Sequence, residues 1–125
     1  MPSILIVEDD VKMVDVIKRA LMPLGCVIDT ARNGEEAMKC VEKSAYNLVV
    51  TDLMMPKNTG FDLLEGLRDN GITVPVLVCS AYVTPDTLKG YGAGLRVEVV
   101  TKPFKAETLL RSARRLLDLT STQER

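Results

Sequence analysis

Acidic side chains, a hydroxyl and an amine stand at the ends of short apolar runs along this chain. In chain order these residues are Glu8, Asp9, Asp10, Asp52, Ser80 and Lys102. Carboxylates held close together repel one another, so such a cluster either keeps a proton or binds a cation. Oxygen ligands without Cys or His favour Mg²⁺, which takes one or two carboxylates together with waters and a phosphate.

The same residue types suit phosphoryl transfer. An Asp carboxylate such as Asp52 can act as a nucleophile and form an aspartyl phosphate. Lys102 is a point charge suited to a phosphate oxygen, and the Ser80 hydroxyl can donate to another. Each residue alone has an ordinary structural explanation, such as a helix cap or a loop. Phosphoryl transfer needs positioning and charge neutralisation, and the set in this order supplies both.

The elements that must position these residues alternate along the chain. Apolar runs predict strands over residues 3–7, 26–30, 48–51, 74–80 and 97–101. Helical periodicity predicts helices over residues 11–24, 35–43, 60–69, 85–91 and 107–119. Continuous apolar strands separated by helices predict an α/β fold, a doubly wound parallel sheet covered on both faces. Ligands of such sheets bind at the carboxyl ends of the strands, where the polar residues are expected to meet.

Length, composition and charge exclude several classes of protein. The 125 residues fit one domain, and 46% hydrophobic with 26% charged residues is an ordinary globular balance. A net charge of −1 argues against direct nucleic-acid binding. No secretory signal and no apolar run long enough for a bilayer is present. The absence of His excludes a Ser–His–Asp triad and a His metal site.

The three cysteines lack the spacing of a metal site. They are Cys26, Cys40 and Cys79, an odd number in a chain with no secretory signal. This pattern predicts reduced, buried thiols in a cytosol, and hence a cytoplasmic protein.

Four motifs at the strand ends resemble the receiver domain of two-component response regulators. They are ILIVEDD at 4–10, DLMMPKNTGFDLL at 52–64, VCSA at 78–81 and TKPF at 101–104. The resemblance covers about residues 3–118. It implies a flavodoxin-like (βα)5 topology with strand order 2-1-3-4-5. The predicted receiver domain is 1–118, and 119–125 is predicted to be a polar tail or the start of a linker.

The resemblance also implies a role for each site residue. Asp52 matches the phosphoacceptor, Lys102 the phosphate-binding lysine and Ser80 the switch hydroxyl. The implied Mg²⁺ ligands are Glu8 (through water), Asp9, Asp52 and the backbone carbonyl of Met54. Asp10 is expected to cap the first helix, and the Lys102–Pro103 bond is expected to be cis.

The partners implied by the resemblance are proteins. The phosphohistidine of a histidine kinase or phosphotransfer protein donates to Asp52, and the receiver catalyses this step and slow hydrolysis. Phosphorylation then biases a surface made by the fourth helix, fifth strand and fifth helix, which controls an output domain or effector. No direct nucleic-acid or membrane binding is expected, and the domain is expected to be a monomer or weak dimer.

Other readings of the site are weaker or remain open. Phosphate loops of flavin carriers and dinucleotide-binding domains are absent after the first strand, where the acids would repel phosphate. Met54 stands where an aspartyl phosphatase of the haloacid dehalogenase type has a second Asp. Val99 departs from the family pattern, which has an aromatic residue there. A degenerate receiver that only mediates protein contacts therefore stays as the alternative.

Overall fold

Five parallel strands form the sheet of this protein. Its computed structural model describes residues 1–52, 60–81 and 96–124. The strands are β1 Ser3–Val7, β2 Val27–Ala31, β3 Leu48–Asp52, β4 Val76–Ser80 and β5 Val97–Thr101. All neighbours pair in parallel in the order β2-β1-β3-β4-β5. The predicted doubly wound α/β fold with flavodoxin-like strand order is therefore confirmed.

Helices flank the sheet between the strands. In the described ranges they are α1 Val11–Leu21, α2 Gly34–Lys43, α3 Gly60–Asp69 and α4 Ala106–Glu124. The helix predicted at 85–91 lies outside the described residues. The last helix was expected to end at residue 119, but its backbone continues to Glu124. The division between the receiver domain and a tail or linker near 118 stays a prediction.

The first helix ends earlier than its periodicity predicts. The sequence pattern placed its end at residue 24, whereas α1 stops at Leu21 and a 3₁₀ turn, Met22–Leu24, follows. Pro23 lacks the N–H that would continue the helix, and Gly25 takes a left-handed φ of 60° that terminates it. The chain can then enter β2 directly.

Two apolar cores lie on the two faces of the sheet. Leu5 and Val7 of β1 pack with α2 and α3 residues, including Leu64, on one face. Ile4 and Ile6 point the other way and pack with α1 and α4. This alternation makes every central strand a continuous apolar run, because both of its faces are buried. No helix within the described ranges is both long and apolar enough to cross a bilayer.

The apolar positions of α1 differ in burial. Ile17 and Leu21 are 2% and 0% exposed, as helical spacing predicts for an inward face. Val11, at the same spacing, is 81% exposed because it is the first residue of the helix and lies at the rim of the sheet. Val11 therefore contributes to a surface and not to the core.

We expect Leu21→Ala to lower the free energy of unfolding by about 2–5 kcal/mol, since it leaves a cavity in the α1/α4 core. Val11→Ala in the same helix is the matched control, with an expected change of less than about 0.5 kcal/mol. Urea unfolding followed by circular dichroism measures both. Equal losses in the two variants would contradict the placement of the core.

Candidate functional site

Strand alternation brings two acids and a lysine to one face at the carboxyl edge of the sheet. Glu8, Asp52 and Lys102 each stand two residues after a buried residue of the α1/α4 core. Those buried residues are Ile6, Val50 and Val100. Side chains two positions apart on a strand share a face, so the apolar pattern of the strands carries the polar residues to the same place.

The Lys102 ammonium contacts both carboxylates. Its Nζ donates a hydrogen bond to Asp52 Oδ2 at 3.0 Å and lies 3.5 Å from Glu8 Oε1. The side chains of Glu8, Asp52 and Lys102 are only 3%, 13% and 21% exposed. Partly buried charges require partners, and among the described residues this contact sets one positive charge against two negative ones. These three side chains together carry a net negative charge that a proton or a further cation can balance.

Burial shifts the protonation of this site. It raises the pKa of the Glu8 carboxyl to about 7, although the Asp10 N–H and the Lys102 ammonium favour the charged form. Burial alone would lower the pKa of Lys102, but the hydrogen bond and charge of Asp52, with the charge of Glu8, raise it. Lys102 is therefore a permanent cation, whereas Glu8 is the residue that takes up or releases a proton.

The acids after β1 have different roles. The Asp10 side chain accepts from the Lys12 N–H at 3.0 Å and so caps α1, which confirms its predicted role. The Glu8 side chain turns into the site and accepts from the Asp10 N–H at 3.2 Å. Asp9 is exposed, and its side chain is close enough to that of Glu8 to raise the pKa of the Glu8 carboxyl. Glu8 and Asp9 thus stand together, as their prediction as metal ligands requires.

Ser80 reaches the same edge from the other face of the sheet. It ends β4, is 1% exposed and follows Val76 and Val78, which belong to the α2/α3 core. Its carbonyl oxygen accepts from the Lys102 N–H at 2.9 Å, which ties the end of β4 to the site lysine. The Lys102–Pro103 peptide is cis, as expected.

The carboxylates at this edge are the type of oxygen group that Mg²⁺ prefers over softer metals. The carboxylates of Glu8 and Asp52 converge on one ammonium, and Asp9 is adjacent. Among the described residues, no group of three or more His, Cys, Asp or Glu side chains is arranged so that it could hold a metal ion. Mg²⁺ is usually bound by one or two carboxylates and keeps several waters, so such a set suits it. Met54, predicted to add a backbone carbonyl, lies outside the described residues.

Cys79 is a neighbour of the site that was predicted only as a buried thiol. It is 1% exposed and pairs with Asp52 in the register of β3 and β4. Burial raises the pKa of its thiol to about 12, so it stays protonated. Cys26 and Cys40 are only half-buried, which corrects the expectation that all three thiols are buried. The sequence feature that could have predicted Cys79 as a neighbour of the site is its position one residue before Ser80, on the face of the sheet that carries Asp52.

The fold and site define a doubly wound α/β domain with an acidic pair, an aspartate and a lysine at its carboxyl edge. The model of the response regulator receiver domain family matches residues 4–114, and the chain belongs to this family. Transcriptional regulatory protein CiaR of Streptococcus pneumoniae is 38% identical over 110 residues, covering 87% of this chain and 48% of CiaR. Transcriptional regulatory protein TcrA of Mycobacterium tuberculosis is 35% identical over 114 residues, covering 90% of this chain and 45% of TcrA. The chain spans about half the length of these curated relatives.

Solved structures agree with this assignment. The receiver domain of Francisella response regulator 1452 superposes with a TM-score of 0.85 at 29% identity, covering 96% of this chain and 99% of that one. Response regulator TrrA of Thermotoga maritima, solved in complex with Mg²⁺-BeF, gives a TM-score of 0.81 at 29% identity, covering 94% and 100%.

The cap and ligand roles of neighbouring acids can be separated. We expect Asp10→Ala to lower the free energy of unfolding by about 1 kcal/mol, because the Lys12 N–H loses its acceptor. Asp10→Ser keeps a capping oxygen without the charge and should remain close to wild type. Urea unfolding without metal measures both variants. A loss in Asp10→Ser as large as in Asp10→Ala would show that the charge, and not the cap, is what matters.

Protonation of Glu8 predicts a pH dependence of stability. Its folded pKa of about 7 lies above the ordinary 4.5, so its stabilising contribution is complete below pH 4.5 and is lost as the pH rises through 7. Between pH 5 and 8 wild type should lose at most about 3 kcal/mol relative to Glu8→Gln, at about 1.4 kcal/mol per pKa unit. Urea unfolding in EDTA measures the difference. Parallel pH profiles for the two proteins would refute it.

Proposed function

We propose that this receiver domain is a phosphoacceptor switch in which Asp52 takes a phosphoryl group from the phosphohistidine of a kinase or phosphotransfer protein. The observation that carries the proposal is the contact of Lys102 Nζ with Asp52 Oδ2 at 3.0 Å and Glu8 Oε1 at 3.5 Å. It supports the proposal because a nucleophilic Asp52 and a cation for its product would share one partly buried site. An interaction-only receiver has no need of such a costly arrangement.

Asp52, Lys102 and Ser80 have different roles in the transfer. An oxygen of Asp52 attacks phosphorus, the P–N bond breaks, and the imidazole nitrogen leaves with the bonding electrons. Lys102 then turns from the carboxylates to a phosphoryl oxygen, and the Ser80 hydroxyl donates to another. Slow hydrolysis of the acyl phosphate at Asp52 resets the domain.

Mg²⁺ is the proposed cofactor of this step. Its proposed ligands are Glu8 through water, Asp9, Asp52 and the backbone carbonyl of Met54. When bound, the ion neutralises the charge of the phosphoryl oxygens. The TrrA complex with Mg²⁺-BeF supports this cofactor for a domain of the same fold.

An apolar groove beside the site supports a protein as the phosphoryl donor. It has a volume of about 350 Å³ and reaches the site lysine. Its lining residues are Met13, Val16, Ala81, Lys102, Pro103 and Phe104. Val11 and Val16 of α1 are 81% and 48% exposed. Exposed apolar side chains on α1 and a groove that reaches Lys102 suit a partner that buries them while it presents its phosphohistidine.

The output follows from the charge that the phosphoryl group adds. Ser80 moves toward it and biases a surface that includes β5 and α4, together with the helix predicted at 85–91, which lies outside the described residues. This surface controls an output domain or effector in the cytoplasm. A nearly complete switch needs about 5.5 kcal/mol of differential stabilisation. We propose a monomer or weak dimer, with no direct nucleic-acid or membrane binding by this domain.

Acetyl phosphate with Mg²⁺ tests the phosphoacceptor. We expect wild type to gain the mass of one phosphoryl group, because Asp52 is positioned to attack phosphorus without a kinase. Asp52→Asn should gain none, since an amide is not a nucleophile here. Intact mass spectrometry measures the adduct.

Asp69→Asn is the matched control, because Asp69 is an exposed carboxylate at the far end of α3. It should be phosphorylated like wild type. Wild type without an adduct and without Mg²⁺-dependent beryllofluoride binding would overturn the proposal in favour of the interaction-only receiver. An adduct that persists in Asp52→Asn would show that another residue is the acceptor.

A further inference from the structure

Ser80 and Thr101 are direct partners in the register of β4 and β5. The pairs along these two strands include Val76 with Val97, Val78 with Val99, and Ser80 with Thr101. Val76 and Val78 belong to the α2/α3 core, and Val97 and Val99 pack against it. Because side chains alternate between faces, Ser80 follows Val76 and Val78 on one face of β4, and Thr101 follows Val97 and Val99 on the same face of β5. Two residues with hydroxyl groups are therefore neighbours at the carboxyl ends of these two strands.

The two hydroxyl residues differ in exposure. Ser80 is 1% exposed, whereas Thr101 is exposed on an edge strand of the sheet. The backbone next to Thr101 is tied to Ser80, since the Lys102 N–H donates to the Ser80 carbonyl at 2.9 Å. A displacement of Ser80 therefore acts on Lys102 and on Thr101, the last residue of β5. Thr101 is the point at which such a displacement reaches the surface.

The chemistry of a hydroxyl gives Thr101 a use when Ser80 is engaged. A serine that donates its proton to a phosphoryl oxygen keeps lone pairs that can accept a hydrogen bond. A second hydroxyl donating to that oxygen polarises the first and strengthens its hydrogen bond. Val99, the preceding residue on the same face of β5, offers only methyl groups and cannot do this.

We propose that Thr101 is a positioning residue of the phosphoacceptor site. Its hydroxyl donates to Ser80 Oγ while Ser80 donates to the phosphoryl group on Asp52, and so links that group to the exposed edge of β5. This inference rests on the proposed phosphoacceptor function. It adds a polar route from the site to the surface that does not depend on the side chain at position 99.

Beryllofluoride with Mg²⁺, a mimic of the phosphoryl group, is the probe, and isothermal titration calorimetry measures its binding. We expect Thr101→Val, which keeps the shape and removes the hydroxyl, to bind about 2- to 10-fold more weakly, the effect of one net hydrogen bond. Thr101→Ser keeps the hydroxyl and should bind as wild type does. Thr30→Val is the matched control, since Thr30 is an exposed strand threonine on the opposite edge strand, β2.

A second measurement separates positioning from a structural role. The free proteins should unfold in urea at the same midpoint for wild type and Thr101→Val, because the hydrogen bond forms only with the phosphoryl mimic. Unchanged beryllofluoride affinity in Thr101→Val, or an equal loss in Thr101→Ser, would overturn the role of Thr101 alone. Wild type that fails to bind beryllofluoride would overturn the phosphoacceptor function and this inference together.

Discussion

One ammonium group shared by two carboxylates is the interaction on which this domain depends. Lys102 stands between Glu8 and Asp52 in a site that water reaches only partly. Taking charges out of water is costly unless each has a partner, and one cation cannot fully satisfy two acids. The remaining negative charge makes the site receptive to a proton or a metal ion. Burial, with a smaller contribution from the charge of Asp52, raises the pKa of Glu8, so that a proton can supply part of the balance.

The two apolar cores fix the positions of the charged side chains in this site. Glu8, Asp52 and Lys102 come from three strands, and each points to the α1/α4 face because of the buried residues before it. A shift of one residue in the register of any strand would turn its polar residue to the other face and expose its apolar ones. Burial on both faces therefore fixes the register, and the register fixes the site. Stability and function depend on the same apolar pattern.

Much of this arrangement could be predicted from the sequence, because short apolar runs with polar ends have few alternative structures. The strands at 3–7 and 97–101 were predicted to the residue, and Asp52, Ser80 and Lys102 were placed at the correct edge. Helix ends were less predictable. Helix α1 ends early because Pro23 and Gly25 override its periodicity, and α4 continues through polar residues that show no apolar pattern. Asp52 was expected to face Lys102, but the second contact of Lys102, with Glu8, could not be predicted because it depends on three strands at once.

The site also spans the two faces of the sheet, and this is what suits it to signalling. The acids and the lysine lie on the α1/α4 side, whereas Ser80 continues the α2/α3 side. The bond from the Lys102 N–H to the Ser80 carbonyl joins the two sides at the sheet edge. A group bound between Asp52 and Lys102 would therefore affect the positions of residues in both cores. A rearrangement that gives this bound group its hydrogen-bond and charge partners on one face of the sheet must alter the packing on the other face. The reason is that closely packed cores change between discrete states and do not deform continuously.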